Sequence, residues 1–272
     1  MDYGKLIFRL LVYKYMPPLY SICITNFNTE DSVRQSLESI LTQVDERFEI
    51  VVVDNYSKDA SLDILKEYDR KGIKLIVKRC SRGLGRQIAF ENSCGQYIIG
   101  QMDMDDVFKP YLSKLLQIYH ANFEGYMLET SDVIMITPRK LINMIGGYKD
   151  LNYLEDHELC SRAAQIRCFR FLNFKIKDRE IKKKKPDRQI KRALEQQYSM
   201  LRDSFRIGLG TSYTQGIFKI TNIKKKPSAS LIGSLVLPWA FITHWFYPQF
   251  HDKFTKFFNE TDYEVKLNEI SA

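Results

Sequence analysis

The sequence contains no C-x-x-C pair, and its five cysteines, Cys23, Cys80, Cys94, Cys160 and Cys168, are odd in number and mostly set among apolar residues. A disulfide framework is not indicated; the pattern fits reduced, packed thiols and a cytoplasmic setting. No internal repeat is visible, which excludes a stacked-repeat architecture. The run LIFRLLVY, residues 6–13, is too short for a secretory h-region, carries Arg9 and has no small-residue cleavage site after it. It reads as an amphipathic first element. No interleaved aromatic-basic motif is found, so nucleic acid is not an expected partner.

What is present is apolar mass and positive charge. At 272 residues and 44% hydrophobic composition the chain can bury one large core, or a core plus a smaller appendage. Lys and Arg exceed Asp and Glu by 41 to 33, a net charge of +8. That excess suits a polyanionic partner: phosphates or an anionic membrane surface.

YSICIT after Pro17-Pro18, FEIVVVD, KLIVKR and YIIGQMD read as strands. DSVRQSLESILTQ and SLDILKEYDRKG read as the helices between the first three, with Gly72 closing the second. RGLGRQIAFENSCG reads as a glycine loop followed by a helix. Alternating strands and helices specify a Rossmann-like, mostly parallel sheet flanked by helices. Beyond Asp106 the pattern is mixed: a helix near PYLSKLLQIYH, a strand near DVIMIT, a turn at Gly146-Gly147, a helix over about 155–165, and a later helix through LEQQYSMLRDSFRIG.

Residues 1–220 are expected to form the main domain and 221–272 a C-terminal helical extension. Its uncharged segment 228–247, SASLIGSLVLPWAFITHWFY, meets the roughly 18–20-residue length for spanning a bilayer. Lys224–Lys226 precede it, Trp245, Phe246 and Tyr247 close it, and Pro238 interrupts it. Spanning, lying in the interface and burial as a core helix all remain open. The basic run Lys182–Lys185 fits contact with phosphates or a solvated loop.

Ligands in open α/β sheets bind beyond the carboxyl ends of the strands, so Asp54 after VVV and Asp103 after YIIGQM are expected to share one crevice. Asp103, Asp105 and Asp106 offer hard oxygen ligands of the kind Mg²⁺ and Mn²⁺ prefer. Alternatively, Asp105 or Asp106 caps the helix before PYLSKLL. These residues alone do not choose between metal site and cap.

VVVDNYSKDAS, RGLGRQIAFENSCGQYIIGQMDMDD and GGYKDLNYLEDHELCSR resemble, in order and type, three blocks of the family 2 glycosyltransferases, over roughly residues 20–162. The resemblance implies a GT-A fold and transfer of a single sugar, with inversion, from a nucleotide-diphosphate sugar to a hydroxyl acceptor on a glycan or a lipid-linked molecule. Asp54 then matches the carboxylate that accepts from the nucleotide base, with Asn55 where a second aspartate is usual. Asp103 and Asp105 match the D-x-D that holds Mg²⁺ or Mn²⁺ on the diphosphate, where a cation stabilises the leaving group's charge.

Arg82 and Arg86 are candidates for phosphate or base contact. Glu155-Asp156 matches the E-D whose aspartate, Asp156, would be the general base; a carboxylate favoured by the helix dipole is the bland alternative. Arg162, one turn beyond Glu158, is placed to orient an acid, while His157 and Glu158 read as a solvated face. The family's Q-x-x-R-W, associated with processive synthesis, is missing; the nearest stretch, QQYSMLRD, lacks the tryptophan. The rival readings are a nucleotidyltransferase and a basic membrane-surface protein on a degenerate version of this fold.

Overall fold

The computed structural model describes residues 17–179, 186–209, 227–250 and 260–266. The amphipathic first element at 6–13, the basic run Lys182–Lys185 and Lys224–Lys226 lie outside the described residues. Strands β1 (Tyr20–Asn26), β2 (Phe48–Asp54), β3 (Lys74–Val77) and β4 (Tyr97–Asp103) are interleaved with helices α1 (Val33–Leu41), α2 (Ser61–Asp69) and α3 (Arg82–Glu91). There follow β5 (Asp106–Phe108), α4 (Leu112–Asn122), β6 (Met127–Thr130), β7 (Met135–Pro138), α5 (Arg139–Met144) and α6 (Glu155–Gln165). The last elements are β8 (Phe169–Leu172), β9 (Lys177–Arg179), α7 (Pro186–Arg206), α8 (Pro227–Thr243) and β10 (Glu264–Val265).

Eight strands form the main sheet in the order β10-β8-β6-β7-β4-β1-β2-β3, with β5 and β9 paired separately. Every neighbouring pair in the main sheet is parallel except those made by β7. The apolar runs follow from this: a parallel strand covered on both faces needs apolar residues at every position. Ile22, Ile24, Val52 and Ile99 pack on one face with α1 and α2, while Cys23, Val51, Val53 and Ile98 pack on the other with α3 and α6. Helix α1 buries Val33, Leu37 and Ile40 at helical spacing, each such side chain stabilising the fold by roughly 1.5–3 kcal/mol. Gly72, with φ of +106°, ends the turn after α2, a conformation that only glycine adopts without strain.

The glycine loop expected at RGLG is instead the first turn of α3, capped by Ser81, whose Oγ accepts from Leu84 N at 3.1 Å. The segment after 220 is not wholly peripheral, because β10 pairs with β8 in the main sheet. Among the described residues no helix is long and apolar enough to cross a membrane. Helix α8 lies against α7, with a 2.7 Å hydrogen bond between the Tyr198 and Thr243 hydroxyls and an edge contact between Phe205 and Phe241.

Candidate active site

The order β2-β1-β4 places three strand ends side by side, with Asn26 opposite Asp54 and Thr25 opposite Asp103. Strand register thus brings both aspartates to the carboxyl edge of the sheet, on either side of the end of β1. Asp54 is fully buried. Its Oδ2 accepts from Asn26 Nδ2 at 2.7 Å and Ser57 Oγ at 2.6 Å, and its Oδ1 from Ser57 N at 2.8 Å. The carboxylate thus closes the turn after β2. Asn55 Oδ1 accepts from Cys80 N at 2.9 Å, tying that turn to the start of α3.

Asp103 lies at the end of β4 with its side chain 28% exposed. One residue is inserted into β4 relative to β1 between Ile99 and Met102, and Gln101 there has φ of +61°. Such a bulge re-aims the side chains that follow it. Thr25 Oγ1 donates to Asp103 Oδ1 at 3.2 Å, and Arg86 Nη2 lies 3.8 Å from the same oxygen. Burial alone would raise the Asp103 carboxyl, but Arg86, Arg82 and Lys177 hold it below the usual carboxylate range.

Asp105 sits exposed on the turn after β4. Asp106 does not cap the next helix: it is buried on β5, with Lys177 Nζ 3.0 Å from its Oδ2, and α4 starts only at Leu112 after Tyr111. The backbone goes back into a strand pair with β9 before any helix can form, which removes the cap position from the acidic run.

Arg86, expected to reach a ligand, is almost wholly buried. It spans between Asp103 and Glu155, with Nη1 3.0 Å from Glu155 Oε1. Arg82, about half exposed, lies 4.0 Å from the same Glu155 oxygen and stacks over the Tyr153 ring. One buried guanidinium therefore links the strand-end acid to the acidic start of α6. Gly83 and Gly85 permit that approach. A Cβ on Gly83 would lie 2.1 Å from Lys149 O, and one on Gly85 3.1 Å from Thr25 Cγ2.

At the start of α6, Glu155 is buried and Asp156 half-buried. Burial pushes the Glu155 carboxyl up to about 7; Arg86 opposes the rise and the neighbouring Asp156 adds to it. Asp156 Oδ1 accepts from His157 N at 2.8 Å, so the helix's own first turn orients this carboxylate. Glu158 is not on a solvated face. It is fully buried and holds Arg162 in a two-pronged ion pair, Nε–Oε1 2.7 Å and Nη2–Oε2 2.6 Å. Arg162 Nη2 also donates to Gly147 O at 2.6 Å, so the pair fixes the glycine turn before α6.

Thr25 and Lys177 were not singled out from the sequence. Register opposite Asp103 marks Thr25, but Lys177 carries no one-dimensional signal. Among the described residues no three His, Cys, Asp or Glu side chains are gathered to hold a metal ion. Asp103 and Asp105 fit a cation of the kind that takes one or two carboxylates and fills its other positions with water and phosphate oxygens. They do not form a closed protein cage.

Residues 21–140 match the family described as Glycosyl transferase family 2. This stretch is a family 2 glycosyltransferase domain. An uncharacterized glycosyltransferase of Haemophilus influenzae is 31% identical over 135 residues, 48% of this chain and 41% of that protein. Across this and two other curated relatives the chain spans 41%, 49% and 30% of the relative's length. Among solved structures, the mannosyltransferase PcManGT from Pyrobaculum calidifontis, in complex with GDP-Man and Mn²⁺, superposes with a TM-score of 0.55 at 15% identity. The match covers 89% of this chain and 81% of that one. S. aureus TarS 1–349 in complex with UDP superposes at 0.50 and 20% identity, covering 60% of each chain. At these identities the structures establish the fold, which is that of the GT-A glycosyltransferases. Asp54, Asp103, Asp105 and the two arginines lie inside the glycosyltransferase match, whereas Glu155, Asp156 and Arg162 lie beyond it.

Proposed function

We propose that the chain transfers a single sugar, with inversion, from a nucleotide-diphosphate sugar to a hydroxyl acceptor. The observation that carries this reading is the junction made by Arg86, which brings the D-x-D end of β4 and the E-D start of α6 to opposite sides of one buried cation. On this reading the leaving group and the acceptor meet beside that cation. Asp103 and Asp105 would hold Mg²⁺ or Mn²⁺, which supplies positive charge to the departing diphosphate. Arg82, half exposed at the mouth of the crevice, is suited to the same phosphates. Base recognition falls to the turn at Asp54 and Asn55. Asp156 takes the proton from the acceptor hydroxyl as it attacks the anomeric carbon opposite the diphosphate. Glu155, beside it and neutral over much of the range below pH 7, does not compete as a second anionic base there.

The acceptor is assigned to the glycan or lipid-linked class, with residues 1–220, completed by β10, as the catalytic unit and the rest of 221–272 as an extension at the cytoplasmic face of a membrane. Trp239, Ile242, Trp245 and Phe246 support this: they stand exposed on α8 and the turn after it, Phe246 by 81%. An apolar surface with aromatic edges suits the bilayer interface. The transferase reading is tested by donor turnover with Asp105→Ala and Asp156→Ala, with and without EDTA. Turnover should collapse in both variants and in the chelated wild type, and return with Mn²⁺ only in the wild type. Wild-type rates in both variants would remove the mechanism.

A further inference from the structure

The turn that delivers Asp156 is gripped from a part of the chain far from the D-x-D. Helix α6 starts after Leu154, whose φ of +66° is left-handed and which has no side-chain cap. A branched, bulky residue does not hold that conformation unaided. The grip comes from the last turn of α7. Asp203 is fully buried, and its Oδ2 accepts two consecutive amides of the turn, Asn152 N at 2.9 Å and Tyr153 N at 3.1 Å. Its Oδ1 takes Arg202 Nε at 3.0 Å and Arg206 Nη1 at 2.9 Å. Arg206 reaches on to Asp150 O at 2.7 Å and Pro248 O at 2.9 Å, and Phe250 N donates back to Arg206 O at 2.7 Å. Leu151 packs against Ile207 and Leu209 beneath these bonds. On the opposite side Gly83 N donates to Leu151 O at 2.8 Å, so residues 150–154 are clamped between α3 and α7.

We propose that Asp203 is a positioning residue for the Glu155-Asp156 pair, fixing the left-handed turn that aims the general base. The inference rests on Asp156 acting as the base. Two amides on a single carboxylate oxygen define the direction of the chain two residues before Glu155. Arg202 and Arg206 surround this buried carboxylate with two cations, each 2.9 Å from Oδ1, and so hold it against the turn. Asp203 does not approach the crevice through any contact of its own; its effect is transmitted by the backbone of the turn.

The test is Asp203→Asn in the full chain, an isosteric change that cannot offer two acceptor oxygens. Amide exchange at Asn152 and Tyr153 should accelerate. The kcat for transfer should fall by about 10- to 100-fold, as expected for a displaced catalytic group, while nucleotide-diphosphate binding and donor KM stay within about twofold. Leu65→Ala, in the core away from the turn, serves as control: at a comparable loss of Tm it should retain the wild-type kcat when assayed well below its melting point. Should Asp203→Asn not fold, Arg206→Lys, which keeps the charge but loses the fork to Asp150 and Pro248, is to be read in the same way. Unchanged exchange, unchanged kcat, or a parallel loss of donor binding would each overturn the proposal. A wild-type chain inactive with every nucleotide-sugar would instead overturn the transferase reading, and the exchange measurement would still decide whether Asp203 holds the turn.

Discussion

Replacing Gly83 by alanine should separate the two chain segments that assemble the crevice. The added Cβ would lie 2.1 Å from Lys149 O, 3.0 Å from Glu155 Cβ and 3.1 Å from Leu151 N. Two effects oppose each other. Alanine is favoured over glycine within a helix by about 1 kcal/mol, and by less in a first turn. Against this, overpacking typically costs about 1–3 kcal/mol. Here the obstacle is a backbone carbonyl, which cannot rotate away as a side-chain tip does. Displacing it also strains the 2.8 Å bond from Gly83 N to Leu151 O, worth about 1 kcal/mol. The clash wins, and Gly83→Ala should destabilise the fold by about 2–3 kcal/mol. Gly85→Ala is the internal comparison. Its Cβ is crowded by Thr25 Cγ2 at 3.1 Å and Cys80 Sγ at 3.3 Å, side-chain groups that can yield by a few tenths of an ångström, and meets Val53 Cγ1 at an ordinary 3.8 Å. Its cost should stay below about 1 kcal/mol. Urea denaturation of both variants measures the difference, and turnover of the folded proteins should fall further for Gly83→Ala because the displaced carbonyl precedes Glu155. A Gly83→Ala protein as stable as the wild type, or less perturbed than Gly85→Ala, would refute the reasoning.

Arg86→Met should cost about 3–5 kcal/mol in chemical denaturation carried out above about pH 7, where the buried Glu155 is ionised and loses its nearest cation; a loss under 1 kcal/mol there would mean the pair is dispensable. Glu155 has a folded pKa raised to about 7 from an ordinary 4.5, so the native state binds the extra proton and its contribution is fully present below about pH 4.5 and lost as pH rises through 7. The stability difference between wild type and Glu155→Gln should therefore move against the wild type across that window, by up to about 3 kcal/mol at 1.4 kcal/mol per unit; a flat difference would contradict the raised value. Anionic vesicles should co-float with the wild-type chain and markedly less with a Trp245→Ser, Phe246→Ser double variant, whose residues are 66% and 81% exposed; equal flotation would dissociate these residues from the membrane.

Strands β1, β2 and β4 were legible because parallel strands buried on both faces leave long apolar runs, the half-exposed edge strand β3 only from its short apolar stretch, and the helix at 155–165 because its first turn is acidic and its spacing helical. The short strands β6 and β8 were not. Met127–Thr130 contains Glu129 and Thr130, both buried, so it shows no alternation, and in Phe169–Leu172 the alternation Phe-Arg-Phe is too short to indicate a strand. The pair Gly83 and Gly85 reads as a loop when glycine is taken as a sign of turns, yet both serve helix packing, and a sequence cannot distinguish room for a ligand from room for another helix. Arg86 had the look of a surface or ligand-facing arginine because its partner Glu155 lies 69 positions away, and such pairing is decided only when α3 meets α6. Asp54, assigned as a ligand for a base, also does the structural task of closing its turn.

Both acidic pairs follow a residue held in the left-handed region without being glycine: Gln101, two positions before Asp103, and Leu154, immediately before Glu155. Such conformations cost roughly 1–3 kcal/mol each and persist only where surrounding contacts overdetermine them. Glycine would relieve the strain at either place, so the side chains present must contribute something glycine lacks. Leu154 packs against the Leu151, Ile207 and Leu209 cluster. At the bulge the Gln101 side-chain amide is buried beside Cys160 and Glu129, while its backbone carbonyl lies 3.4 Å from Lys177 Nζ, which also pairs with Asp106. One extra residue in β4 reverses which face Asp103 would otherwise meet, since side chains alternate along a strand. The restraints on both strained points, Lys177 from β9 and Asp203 from α7, lie beyond residue 140, where the family match ends. The matched segment brings Asp103 and the two arginines, but Glu155 and Lys177, from the later part of the chain, hold Arg86 and the bulge before Asp103, and it is there that changes of sequence should alter the proposed site without touching its proposed ligand-binding side chains.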